Sequence, residues 1–345
     1  MLDAQPTGSL ARRRWQNFRR NRRGFYSLCI FLALLITSLF AEFIANDKPI
    51  LFSDGERLYI PVWFTYLETD IGGDLPLEID FRDPQVQAMI KDSGWAIWPP
   101  IPFAHDTIDW NLGVPAPAPP DDRHLLGTDA LASDILAKSI YGFRLSVLFG
   151  LALTVAASLI GVIVGLMQGY FGGLVDLIGQ RVVEIWSGLP ILFVLIILAS
   201  MFQPSVILLL GILILFSWMA LVGVVRAECL RARNLEFVRA ARALGTSNWV
   251  IMRRHVLPNA AVAAITFIPF LLNGSITTLT ALDFLNFGLP YGSPSLGHLL
   301  SQAKANLHAP WIGITVFVVL GTTLTLLIFV GEAVRDAFDA RRALE

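Results

Sequence analysis

Residues 234–259 read Asn-Leu-Glu-Phe-Val-Arg-Ala-Ala-Arg-Ala-Leu-Gly-Thr-Ser-Asn-Trp-Val-Ile-Met-Arg-Arg-His-Val-Leu-Pro-Asn, a basic stretch between two long apolar runs. The pattern predicts two short helices around a glycine. Asn234 is placed to cap the first, Gly245 to take the left-handed turn that ends it, and Ser247 to cap the second. Pro258 is placed to break the chain before the next apolar run. Ala240 and Ala241 beside Leu244 and Gly245 leave a low apolar face flanked by Arg239 and Arg242. Such a face suits insertion into a groove of another protein; the alternative is a basic loop lying on anionic headgroups.

Outward from this loop the chain becomes a membrane protein. Of 345 residues 55% are hydrophobic and 15% charged, against about 25% charged in soluble domains, and mean hydropathy is +0.62. These values argue against a soluble enzyme. Net charge is −1, which predicts no nucleic-acid partner. Runs near the roughly 20 apolar residues that a spanning helix needs fall at 24–45, 144–168, 188–203, 205–225, 260–281 and 311–332. Gln203-Pro204 separates the third from the fourth as a hairpin. The expected fold class is an all-α polytopic membrane protein of six transmembrane helices, with a large periplasmic insertion between helices 1 and 2.

Lysine and arginine set the orientation. Arg12, Arg13, Arg14, Arg19, Arg20, Arg22 and Arg23 precede the first span. A cytoplasmic N-terminus (1–23) makes 169–187, 226–259 and 333–345 cytoplasmic as well, and these four segments hold 18 of the 26 basic residues. The first run is too long for a secretory signal peptide, and Phe40, Glu42 and Phe43 crowd the positions of a cleavage site, so an uncleaved anchor is expected. Residues 46–140 form the periplasmic insertion, with 16 Asp and Glu against 6 Lys and Arg. Its Pro-rich second half predicts extended backbone and a solvated loop or small irregular cap. Trp63, Tyr66, Trp95, Trp98 and Trp110 also offer aromatic anchors for a docking partner. The remaining spans occupy 141–332, with the basic cytoplasmic loop 226–259 inside them.

Catalytic signatures are missing. There is no G-x-x-x-x-G-K-[ST], no H-E-x-x-H and no G-x-S-x-G, so neither a P-loop, a zincin site nor a nucleophile elbow is expected. His105, His124, His255, His298 and His308 show no ligand spacing, and Cys29 and Cys229 form no CxxC pair. No catalytic, cofactor-binding or metal site is expected. Glu42 and Arg144 lie near span ends, and the span centres carry only uncharged polar groups, which weakens an ion-coupled secondary transporter. A membrane scaffold for an outer partner is a further alternative that leaves the pattern of the 234–259 loop unexplained.

The loop pattern E-x-x-x-A-A-x-x-x-G followed by L-P, carried by Glu236, Ala240, Ala241, Gly245, Leu257 and Pro258, resembles that of membrane permeases in ATP-binding-cassette importers. His124-Leu-Leu-Gly-Thr-Asp129, Tyr141-Gly-Phe-Arg-Leu-Ser146, Gly169-Tyr-Phe-Gly-Gly173, Leu282-Asp-Phe-Leu-Asn-Phe-Gly-Leu-Pro290 and Ser293-Pro-Ser-Leu-Gly297 narrow the resemblance to the C-type permeases of dipeptide, oligopeptide and nickel importers. Trp186-Ser-Gly-Leu-Pro190, Gly223-Val-Val-Arg-Ala-Glu228 and 331–339 look most like the Yej-type subgroup of microcin C and oligopeptide importers. One departure is Ala130-Leu-Ala-Ser-Asp134, where the wider family carries Gly-Arg before the aspartate.

The resemblance implies half of a translocation pore in the bacterial inner membrane. It implies as partners a second, B-type permease subunit, an ATP-binding-cassette ATPase that holds the ATP and Mg, a periplasmic peptide-binding protein, and membrane lipid. Glu236, Arg239, Ala240, Ala241, Leu244, Gly245, Leu257 and Pro258 would couple to the ATPase. Asn273, Ser275, Thr277, Thr278 and Thr280 on the fifth span are expected to face the translocation path, or else to bond their own helix and its neighbours. Asp283 and Asn286 are expected at the receptor contact or outer gate. Ala157, Gly161, Gly165 and Gly169 form a small-residue stripe that favours close helix packing. Nickel or another small solute remains an alternative substrate.

Overall fold

The computed structural model describes residues 10–53, 55, 57–71 and 76–338. Residues 1–9 of the expected basic N-terminus and 339–345 of the expected C-terminal segment lie outside them. Helix α1 (Leu10–Arg20) carries five arginines, and α2 (Arg22–Leu39) is the first span. Asn21 lies between them, and its side-chain oxygen accepts from the Gly24 N–H at 3.3 Å, so that a new helix starts there. The first apolar run is not one helix from 24 to 45. It ends at Phe40, and a short α3 (Ala41–Ile44) follows. This bend brings Glu42 onto Arg144 in a two-pronged pair of 2.8 and 2.9 Å.

The insertion is a small α/β cap rather than an irregular loop, so the all-α description applies to the membrane part alone. Strands β1 (Leu51–Ser53), β2 (Leu58–Tyr59) and β3 (Trp95–Ile97) form an antiparallel sheet in the order β2-β1-β3, with α4 (Pro84–Ser93) preceding β3. Asp83 caps α4 and Pro84 opens its first turn. Phe52, Tyr59, Ile79, Phe81, Val86 and Ile90 pack into a separate core, each such side chain contributing about 1.5–3 kcal/mol by leaving water.

The cap is pinned to the next helix through His124. This ring is 1% exposed, with Nδ1 2.9 Å from Asp134 and Nε2 3.3 Å from Asp109. Phe103 lies against it at 4.3 Å between ring centroids, and Arg123 reaches Asp109 at 2.9 Å. Asp134 also accepts from the Ala137 N–H at 2.7 Å and so caps α5 (Ile135–Phe171). That helix starts nine residues before the expected span 144–168 and inside the expected insertion, because its cap belongs to the clamp.

Beyond α5 the expected loop 169–187 is a helix, α6 (Gly173–Ser187), followed by α7 (Ile191–Met201). In place of the third span expected at 188–203 stand α6 and Ile191–Leu198, set at 67°. Asp176, Gln180 and Glu184 recur every fourth residue and interrupt the apolar run, which hid this helix. Asp176 and Gln180 are half-buried and bonded within the chain, whereas Leu174, Leu177, Ile178 and Ile185 are exposed. Polar groups inward and apolar groups outward are what lipid or a partner helix demands.

Helices α8 (Val206–Ser217) and α9 (Met219–Ala232) make up one apolar stretch. Two short helices follow, α10 (Glu236–Ala243) and α11 (Asn248–Ile251). A π turn over Met252–Val256 carries α11 directly into α12 (Leu257–Phe284). Pro258 therefore does not break the chain. It follows the π turn immediately, at the second residue of α12, inside the continuous helix. Helices α13 (Leu296–Ala305) and α14 (Pro310–Phe338) complete the fold. Among the described residues five helices are long and apolar enough to span a membrane, or six with the bent pair.

Close approach of α5 and α9 depends on the glycine stripe. A Cβ at Gly161 would lie 2.5 Å from the Trp218 carbonyl oxygen, at Gly165 2.8 Å from that of Val222, and at Gly169 2.5 Å from the Cys229 Cβ. No larger residue fits at these three crossings.

Candidate coupling surface and transport face

The α10–α11 hairpin is shaped by Gly245. Its φ of +78° lets the Thr246 N–H reach the Ala241 carbonyl at 3.1 Å and the Gly245 N–H reach Arg242 at 3.0 Å, a paired closure that ends α10. Asn234 does not cap this helix. Leu235 holds that position, and the Asn234 amide donates instead to the Leu230 carbonyl at the end of α9. Ser247 stands at the cap of α11 without a side-chain hydrogen bond.

The hairpin has two faces. Val238, Ile251, Met252 and Val256 are buried with Leu166 and Tyr170 of α5 and Val225 and Cys229 of α9, and Ala241 and Leu257 pack against this cluster. On the other side Leu244 is 85% exposed, Trp249 67% and Phe237 48%, with Glu236, Arg239, Ala240, Gly245 and Pro258 also exposed. A Cβ on Gly245 would meet open space. Ala241, expected on the docking face, is thus turned half inward, while Phe237 and Trp249 join Leu244 outside. Neither aromatic stood out in the sequence, because a helical repeat cannot be read through a turn of unknown geometry.

Polar ties fasten the hairpin to the spans. Tyr170 donates to the Asn248 side-chain oxygen at 2.8 Å, and Arg242 lies 5.6 Å from the centroid of the same ring. Arg233 donates to the Gly169 carbonyl at 3.1 Å. Arg226 makes two bonds of 2.5 and 2.6 Å to Asp176, which join α9 to α6. Paired bonds of this kind fix direction as well as distance. Tyr170 stands in the quoted stretch Gly169–Gly173, yet its partner is 78 residues away and no spacing rule connects the two.

The five polar residues of the fifth span divide. Ser275 is buried 3.2 Å from the Thr154 hydroxyl of α5, and buried Thr280 donates to its own helix at Ile276. Asn273 donates to the Leu324 carbonyl of α14 at 2.9 Å. Thr277, which bonds the Asn273 carbonyl, and Thr278 lie with Gly274 on the exposed side of α12.

Asp283 is 1% exposed. Its carboxylate accepts from the Leu289 N–H at 2.7 Å and from the Ser295 hydroxyl, which makes it the anchor of the loop between α12 and α13. Asn286, in contrast, is exposed at a φ of +61° and lines two cavities of about 380 and 450 Å³ together with Tyr291 and His298. The smaller cavity also reaches the cap through His105 and Asp106. Burial lowers the pKa of His105, and the neighbouring Asp106 only partly opposes this. Burial alone would raise Asp109, but the Asn111 N–H, the His124 ring, Arg123 and Arg82 hold it below the usual carboxylate range.

Comparison with known proteins identifies the transmembrane core. Residues 139–344 match the model of the binding-protein-dependent transport system inner membrane component, and residues 9–59 match the N-terminal TM domain of oligopeptide transport permease C. The chain belongs to the binding-protein-dependent inner membrane permeases. One relative is the inner membrane ABC transporter permease protein YejE of Escherichia coli, 54% identical with 96% of this chain and 97% of the relative covered. Another is the peptidoglycan transport system permease protein YejE of Agrobacterium fabrum, 53% identical over 96% and 93%. The oligopeptide transport system permease protein OppC of Haemophilus influenzae is 33% identical over 70% and 78%. For a permease of this family the hairpin lies wholly inside the matched region, and the cap lies largely outside both matched segments. The chain is a multi-pass inner-membrane protein.

Proposed function

We propose that this permease forms one half of the pore of an ATP-driven peptide importer, for oligopeptide or microcin C-like substrates. The observation that carries the reading is the two-faced hairpin. Leu244, Trp249 and Phe237 present an apolar crest to a partner, while Val238, Ile251 and the Tyr170–Asn248 bond hold the other face to α5 and α12. The partner is the ATPase subunit, which carries ATP and Mg and performs the hydrolysis. A B-type permease supplies the other half of the pore, against the exposed apolar face of α6 and the Gly274–Thr278 face of α12. The N- and C-termini and the hairpin are cytoplasmic, and the cap and Asn286 face the periplasmic peptide-binding protein.

In this mechanism nucleotide-driven closure of the ATPase moves the hairpin, and the bonds to α5 and α9 pass that motion to the pore. A nucleotide shifts the inward–outward equilibrium only by its different affinity for the two states, so the connection has to be stiff. Names of the relatives include an oligopeptide and a peptidoglycan transport system, and a peptide cargo fits the uncharged face of Thr277 and Thr278. The test is purification of the complex, reconstitution, and measurement of peptide uptake with ATP and binding protein. Leu244→Asp should leave the chain in the membrane and abolish both ATPase association and uptake. Uptake driven by a proton gradient without an ATPase would overturn the reading.

A further inference from the structure

At the end of the molecule where α1 lies, a cavity of about 410 Å³ opens between α1, α2, α12 and α14. Trp15 and Phe18 line it from α1, Ile265 from α12, and Val334 and Phe338 from α14. Its wall is apolar except at Arg14, whose guanidinium carbon stands 4.6 Å from the Phe338 ring centroid. Trp15 stacks on Phe18 with 5.7 Å between centroids and remains 51% exposed.

The surroundings specify the occupant. The cavity lies at the start of the spanning helix α2 and the end of the spanning helix α14, and so at the level of the membrane–water boundary, where tryptophan concentrates. Helix α1 contains no acidic residue, and Arg12, Arg19, Arg20, Arg22 and Arg23 are exposed beside Arg14. An apolar slot with a cationic lip matches a molecule with an apolar tail and an anionic head. We propose that this slot holds an acyl chain of an anionic phospholipid, whose phosphate is met by Arg14 and the neighbouring arginines of α1. The site ties α1 to the spanning helices and is independent of the transport reading.

Native mass spectrometry of the full complex tests this, with phosphatidylglycerol and phosphatidylcholine of identical chains added in equal amounts. Phosphatidylglycerol should be retained several-fold over phosphatidylcholine, and Arg14→Gln should cut that preference by about fivefold, the contribution of one basic residue near an anionic surface. Val334→Trp, which fills the slot, should remove retention of both lipids; Ile265→Phe serves the same purpose if that variant fails to fold. Equal retention of the two lipids by the unaltered chain would overturn the proposal. So would unchanged retention in both the Arg14→Gln and the slot-filling variants.

Discussion

Tyr170, near the end of α5, donates a hydrogen bond of 2.8 Å to Asn248, the first residue of α11. This bond joins a spanning helix to the second arm of the exposed hairpin. Tyr170→Phe removes it and keeps the ring buried. Loss of one such bond costs about 1 kcal/mol, too little to unfold the chain. The expected outcome is normal membrane insertion and ATPase association with fewer peptides imported per ATP hydrolysed, measured in proteoliposomes. An unchanged ratio would remove the bond from the coupling route.

Gly161→Val and Gly165→Val should each reduce thermal stability in detergent by about 1–3 kcal/mol, the usual cost of overpacking. Both place a Cβ less than 3 Å from a backbone carbonyl, that of Trp218 between α8 and α9 or that of Val222 in α9, which no side-chain rotation relieves. Gly223→Val is the control, since a Cβ there meets open space within the chain; equal melting temperatures for all three would contradict the crossing.

Asp283→Ala leaves the Leu289 N–H and the Ser295 hydroxyl without their acceptor. A buried donor stranded in this way costs about 1–3 kcal/mol. Faster proteolytic cleavage between residues 285 and 295 is expected, with α12 intact. A cleavage rate equal to that of the unaltered chain would show that the loop is held elsewhere.

Acid should loosen the cap before it affects the spans. The pKa values of His105, Asp109 and Asp121 are all lowered in the folded state, so the unfolded cap binds more protons than the folded one. Their contribution is present at neutral pH. It falls first as pH drops below about 6.5, where an unfolded His105 takes up its proton, and further below about 4, where the carboxylates follow. Tryptophan fluorescence of the cap during denaturation at a series of pH values checks the sign. Greater stability at pH 5 than at pH 7 would refute it.

The membrane core and the hairpin were legible in the sequence because both rest on local signals. Apolar runs located the long helices, and Gly245 marked a turn that needs a positive φ. The parts that were missed depend on distant partners. Helix α6 was hidden because Asp176 and Gln180 interrupt its apolar run, and those polar groups are bonded by Arg226, fifty residues beyond Asp176, and by Gln168 at the end of the preceding helix. His124 looked like one of five scattered histidines until Asp109 and Asp134 closed on it. Asp283 looked available at a span end, yet its two acceptor oxygens are taken up by a loop that follows it. The cap was read from its acidity and prolines, and those describe its surface rather than the six side chains at its centre.

The π turn at Met252–Val256 makes α11 and α12 a single 37-residue rod from Asn248 to Phe284, about 55 Å long at 1.5 Å per residue. One end carries the apolar crest and the other the loop that Asp283 holds closed. A rod of this length converts a small tilt into a displacement of several ångströms at its far end. Events at the hairpin and at the opposite mouth of the molecule thus share one continuous helical rod, in which Pro269 and the π turn are the two places where it can bend.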